Sequence, residues 1–154
     1  MTNQSEFEEA VSLLTAGVAS KAIPILEDLA QKDPASWQVV HALARAVDME
    51  GDQPRAQQLL TQAHRLAPSE PEPACDLAMF LLATEQDEAA WQVLEPALAA
   101  HPGHPRVNLQ AAMAQAKSSP SRARVFAGQA LETGDPEIQD QARALYGILA
   151  AQTV

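Results

Sequence analysis

Across residues 37–66 apolar side chains recur at intervals of three and four, and the rhythm is interrupted once. The stretch WQVVHALARAVDME sets Val40, Leu43 and Val47 on one stripe, the spacing of an amphipathic helix. Gly51-Asp52 then breaks the stripe: glycine accommodates a left-handed helix end, and Asp52 is suited to cap a following helix. In QPRAQQLLTQAHRLAP the residues Ala56, Leu59, Leu60, Ala63 and Leu66 again share one face. Pro54 falls in the first turn of that second helix, where its missing N–H costs little. The pattern predicts two helices folded back on each other. Ala44 on the first and Ala56 early on the second carry no bulk, so the two helices are expected to approach closely.

The same pattern returns every 34 residues. Prolines stand at Pro34, Pro68, Pro102 and Pro136, and small residues at Ala10, Ala44, Ala78 and Ala112. Further columns run Ala22, Ala56, Ala90; Leu26, Leu60, Leu94; Leu13, Val47, Leu81; and Gly17, Gly51 at the turn. So many columns in one register mark an internal repeat. A single repeat domain over 3–154 is expected, with units 3–36, 37–70, 71–104 and 105–138 and a capping helix over 137–151.

Departures from the columns are informative. Glu9 stands in an apolar column of the first unit, as at a solvent-facing end, and Glu85 takes the third unit's turn position where glycine is expected. Pro96 falls inside a helix and predicts a bend. In the fourth unit Arg124 and Gly128 fall in the Ala and Leu columns, whereas Ala123, Ala127 and Ala130 fit one place earlier. The turn at SSPS is therefore expected to be one residue shorter, with Pro120 opening the next helix. In the last helix Leu145 and Leu149 continue the apolar columns, but Tyr146 replaces the alanine. Residues 150–154 are too few for another helix, so a C-terminal cap over the open core is expected.

A 34-residue helix–turn–helix with Leu43, Ala44, Gly51, Asp52, Ala56, Leu60, Ala63 and Pro68 in register resembles the tetratricopeptide repeat (TPR) family. The resemblance covers essentially the whole chain. It implies an all-α, right-handed α-α superhelix, a TPR-like solenoid of about four helix pairs plus a C-terminal capping helix. It also implies a concave groove lined by the first helix of each pair. One groove column would run Phe7, His41, Cys75, Leu109; a second Val11, Arg45, Met79, Met113; a third Leu14, Asp48, Leu82, Ala116. That face is largely apolar, with a polar band at His41, Arg45 and Asp48, and its methionines suit adaptable contact. The alternative is that some of these side chains are core, or are covered by the chain's own termini. The lysine and asparagine clamp with which some TPR domains hold acidic chaperone tails is missing, since Phe7 and Val11 take first-unit groove places. The implied function is a non-catalytic interaction module or scaffold that binds a partner's amphipathic helix or extended peptide. A second reading is a small acidic TPR-type chaperone that shields apolar segments of a client.

Composition narrows the chemistry. Hydrophobic residues make up 47% of the 154 and aromatics 4%, with Ala, Leu and Val dominant, which favours close-packed helices over sheets. The net charge is −10: residues 1–104 hold sixteen acids and five bases, residues 105–154 four acids and five bases. No basic stripe exists for phosphate contacts, so nucleic acid is not an expected partner. Cys75 is the single cysteine, which excludes an intramolecular disulfide. The start MTNQSEFEEAV has no signal-peptide character and no apolar run reaches a membrane span, so a cytoplasmic location without membrane partners is expected. HPGHP at 101–105 poses a metal question, but a zinc site needs three or four ligands and none join His101 and His104 in a ligand motif. Cys75 and His41 lie one repeat apart, with no third group to complete a nucleophilic site. No enzyme, metal or cofactor is expected. Exposed apolar groove residues are compatible with a homo-oligomer formed through the array's ends.

Overall fold

Turns set the register of this chain. In the computed structural model, which describes residues 2–152, the regular elements are all α-helices. They are α1 (Asn3–Thr15), α2 (Ala19–Lys32), α3 (Trp37–Met49), α4 (Gln53–Leu66), α5 (Pro71–Ala83), α6 (Asp87–Ala100), α7 (Pro105–Gln115), α8 (Pro120–Leu131) and α9 (Pro136–Gln152). Thr153 and Val154, which belong to the expected repeat domain, lie outside the described residues. The chain forms two compact units, one running to Ala67 with α1–α4 and one from Pro68 with α5–α9.

Three of the hairpin turns close in one way. Gly17, Gly51 and Glu85 adopt positive φ angles of 77°, 89° and 57°. The next residue in each turn donates its N–H back across the helix end: Val18 to the Leu13 carbonyl, Asp52 to that of Val47, Gln86 to that of Leu81, at 2.8, 3.1 and 2.8 Å. These are Schellman helix ends, which satisfy carbonyls that a helix terminus would leave unpaired. Glu85 adopts the left-handed conformation without glycine's freedom, at a cost of about 1 kcal/mol. In the fourth hairpin α8 starts at Pro120, one place early as the alanine columns predict, but the residue is lost from the helix and not from the turn. α7 ends at Gln115, the link is one residue longer than in the other hairpins, and Ser119 N–H donates to the Gln115 carbonyl at 2.8 Å.

The small-residue columns form the hairpin contacts. In the first unit Ala10, Ala22, Ala44 and Ala56 are at most 1% exposed, and Leu26 and Leu60 fill the space beside them. In the second unit Ala78, Ala90, Ala112 and Ala123 are fully buried. A buried leucine such as Leu26 or Leu94 stabilises its unit by about 1.5–3 kcal/mol. Trp91 of α6 and Phe126 of α8 stack with ring centroids 5.6 Å apart, under the Arg122 guanidinium 4.8 Å from the Trp91 ring. α6 runs through Pro96 to Ala100 as one helix.

The end of the chain departs from the 34-residue beat. α9 begins at Pro136, 31 residues after α7 begins at Pro105, and extends to Gln152. Pro136 is therefore the first residue of a helix, the place of Pro71 and Pro105, and not the loop proline that its spacing from Pro102 suggests. Asp135 caps it, its carboxylate accepting the N–H groups of Glu137 (3.0 Å) and Ile138 (3.3 Å). α9 covers the open side of α7 and α8: Leu149 packs with Ala112, Ala123 and Ala127, and Ala142 with Leu109 and Ala130. Tyr146 lies over α8, where a Cβ on Gly128 would meet its ring at 3.7 Å.

Candidate functional site

Because α3, α5 and α7 pack along much of their circumference, part of the expected groove is core. In the first unit α1 presents Val11 at 39% exposure and half-buries Phe7, while Leu14 is buried. On α3 Arg45 and Asp48 are exposed, but His41 is buried with its ring 6.2 Å from that of Trp37. In the second unit Met79 of α5 and Met113 of α7 are 48% and 39% exposed and Leu82 is half-buried. Cys75 and Leu109 are buried. Of the three columns, the first thus belongs largely to the core, and Leu14 joins it. The second, Val11, Arg45, Met79 and Met113, is the open one.

Burial also settles the thiol's chemistry. Desolvation, with smaller contributions from Asp76 and Glu72 and against Arg106, pushes the Cys75 pKa up to about 12. The group is a protonated core side chain at neutral pH, not a thiolate nucleophile.

The HPGHP segment works as helix punctuation. His101 N–H donates to the Ala97 carbonyl at 2.8 Å and closes α6. His104 caps α7, its Nδ1 accepting the Val107 N–H at 3.3 Å. Asn108, buried one turn later, donates from Nδ2 to the carbonyls of Pro102 (2.9 Å) and His104 (3.0 Å), which ties the loop to the helix. The His104 pKa is lowered by burial first, then by His101 and Arg106, with Glu72 opposing.

Each unit has a cavity. In the first, about 400 Å³ lies among Phe7, Leu29 and Val39 with a rim that includes Asp33 and Ser36. Those rim groups are already used locally: Asp33 accepts the Ala35 N–H and Ser36 accepts the Val39 N–H. In the second, about 370 Å³ is enclosed by α5, α7 and the start of α9. Met79, Leu109, Met113 and Ile138 supply apolar wall, and Gln110, Asp135 and Glu137 polar wall. Arg106 also lines it, and its guanidinium is held by the Asp76 carboxylate at 2.6 Å. The repeat columns bring Met79, Leu109 and Met113 together but miss Gln110 and all of α9's contribution. A polar residue beside the first groove column was the only sequence signal for Gln110.

Among the described residues no helix is long and apolar enough to cross a membrane, and no three His, Cys, Asp or Glu side chains converge as a metal site.

Residues 49–117 match the family model described as tetratricopeptide repeat. No curated protein matches the sequence. Solved structures share the fold at low identity. MamA from Desulfovibrio magneticus RS-1, residues 41 to the end, is 17% identical with a TM-score of 0.71, covering 98% of this chain and 94% of that one. YrrB is 16% identical with a TM-score of 0.79, covering 96% and 76%. PilF of Pseudomonas aeruginosa is 18% identical with a TM-score of 0.75, covering 97% and 75%. The fold is the expected all-α, TPR-like class, of about four helix pairs and a closing helix. The family model covers the central repeats, and the fold of these tetratricopeptide repeat structures is shared over nearly the whole chain.

Proposed function

We propose that this chain is a non-catalytic protein-interaction module and that its second unit holds a partner segment against α5, α7 and α9. The observation that carries this reading is the pair Met79 and Met113, large apolar side chains left exposed at the mouth of a cavity with an apolar floor. Methionine is unbranched and polarisable, so it adapts to a partner's shape at low cost. Leu82 extends the apolar surface along α5, and Leu109 forms part of the floor. In the first unit Val11, Arg45 and Asp48 offer a more polar strip, with Arg45 able to orient a partner through a charge-assisted hydrogen bond. The match of residues 49–117 to the tetratricopeptide repeat model supports the reading, and so does YrrB, described as a TPR protein with an unusual peptide-binding site.

The test is an affinity capture from native lysate, followed by titration of the purified partner. Met79→Glu combined with Met113→Glu is expected to abolish binding while the far-ultraviolet circular dichroism stays helical. Unchanged binding by the double variant refutes the reading. A partner that aggregates alone and stays dispersed only with this chain present would move the function to client protection.

A further inference from the structure

Gln110 of α7 is 1% exposed, and neither its Nε2 nor its Oε1 has a hydrogen-bond partner among the described residues. Leaving a buried donor and acceptor unpaired is costly, and folded proteins seldom do it without a reason. Two residues earlier Asn108 donates to two backbone carbonyls, so this helix does satisfy an amide where the fold needs one. Gln110 instead lines the second unit's cavity of about 370 Å³, within the roughly 300–1,000 Å³ of small-molecule sites. Its carboxamide sets a donor and an acceptor side by side in one plane, and the complement is a flat group with an acceptor next to a donor. Met79 and Met113 add polarisable thioethers, which make favourable contacts with aromatic rings. Asp135 and Glu137 bring two carboxylates, while Arg106, the basic residue of the lining, is held by Asp76 at 2.6 Å. The field in the cavity is therefore negative.

We propose that this cavity binds a small planar heterocycle of the nucleobase type, free or as an unphosphorylated nucleoside, with Gln110 pairing to the edge of the ring. Amide side chains pair with base edges through one donated and one accepted hydrogen bond in a common plane. The ring would lie against the Met79 and Met113 thioethers. Both bonds that cap α9 go to Oδ1 of Asp135, and its second oxygen is suited to accept a sugar hydroxyl, as carboxylates do at ribose. The same carboxylates repel a phosphate, which sets nucleotides and nucleic acid apart from the ligand. The inference goes beyond the interaction reading and does not rest on it, since it needs no partner protein. Reaching the carboxamide requires movement at the cavity wall, and the exposed, unbranched Met79 and Met113 side chains are the groups able to swing aside.

The probes are adenosine, guanosine, cytidine and uridine, their free bases and their monophosphates, each titrated against the full chain by nuclear magnetic resonance. At least one base or nucleoside is expected to bind in the micromolar to millimolar range, and the Gln110 carboxamide resonances should shift most among side-chain amides. The matching monophosphate should bind at least tenfold more weakly. Gln110→Leu should lose tenfold or more in affinity, the effect of two neutral hydrogen bonds, and should melt no lower than the parent. An analogue of the best binder methylated at its edge nitrogens should reproduce the loss with the parent chain and lose nothing further with Gln110→Leu. If Gln110→Leu fails to fold, Gln110→Met serves in its place, and the methylated analogue tests the pairing on the parent chain alone. Absence of binding by every base and nucleoside at millimolar concentration would overturn the site. So would monophosphates that bind as well as nucleosides, or equal affinity for parent and Gln110→Leu. Each of these results leaves the interaction module standing, because partner capture with the double Met79/Met113 variant tests it separately.

Discussion

Helices α3 and α7 each open the second hairpin of their unit, and they bury the same eight positions, 68 residues apart. They fill those positions differently. In α3 only His41 is polar; in α7 Asn108, Gln110 and Gln115 stand where α3 has Val40, Ala42 and Val47. The period and the hairpin geometry thus decide which positions are buried, while the chemistry at them is free to depart from apolar. Each departure then calls for a cause. Asn108 has one, since it holds the α6–α7 loop. Gln110 has none within the fold, and that difference between two buried amides on one helix is what singles it out. The helix starts differ in the same manner: Ser36 caps α3 through its hydroxyl and His104 caps α7 through a ring nitrogen.

If burial follows the repeat with a one-residue deletion before α8, a leucine should be resisted at Ala56 and at Ala123 but accepted one place later. Ala56→Leu and Ala123→Leu overpack fully buried hairpin contacts and should each cost up to about 3 kcal/mol. Arg124→Leu, on the exposed side of α8, should stay within about 0.5 kcal/mol. Urea denaturation of the three variants checks this, and equal costs at 123 and 124 would break the register.

Much of this architecture was legible in the residues. Helix spacing, the glycine turns and the early start of α8 follow from apolar period and from where alanine must sit. Other features were hidden for physical reasons. Pro136 keeps the 34-residue spacing by coincidence, because α7 and α8 are shorter than their counterparts and α9 starts early. His41, Cys75 and Leu109 look like groove residues when each helix is assigned one buried stripe, but these helices bury most of their circumference. Gln110 escaped because periodicity treats a polar side chain as solvent-facing. No pattern in one chain tells a buried amide from an exposed one.

Replacing Asn108 with its α3 counterpart sharpens the contrast between the two amides. Asn108→Val removes the bond to the Pro102 carbonyl and one of the two bonds at the His104 carbonyl, which keeps the N–H of residue 108 at 3.1 Å. The expected cost is about 2 kcal/mol. Hydrogen exchange should show earlier opening at the start of α7. The same type of change at Gln110 should carry no such penalty, so similar losses at both positions would remove the distinction drawn between them.

The smallest effect concerns the caps. Burial, with His101 and Arg106, lowers the His104 pKa from its ordinary value near 6.5, so the native state holds the ring neutral where the unfolded chain begins to protonate. Unfolding then takes up a proton between the native and unfolded values, and acid favours the unfolded state. The stability linked to this group is fully present above about pH 6.5 and is lost as pH falls through the lowered native value. Protonation also removes the lone pair with which Nδ1 accepts the Val107 N–H, and places a cation at a helix N-terminus, where the backbone dipole repels it. His104→Ser installs the α3 type of cap, whose hydroxyl does not titrate. The parent's melting temperature should fall more steeply between pH 7.5 and about pH 5.5 than that of His104→Ser. His64, whose pKa is lowered by burial, should leave a residual slope of the same sign in both proteins. Identical slopes would show that the ring nitrogen and the hydroxyl are interchangeable as caps, and that the difference between the two helix starts has no consequence for stability.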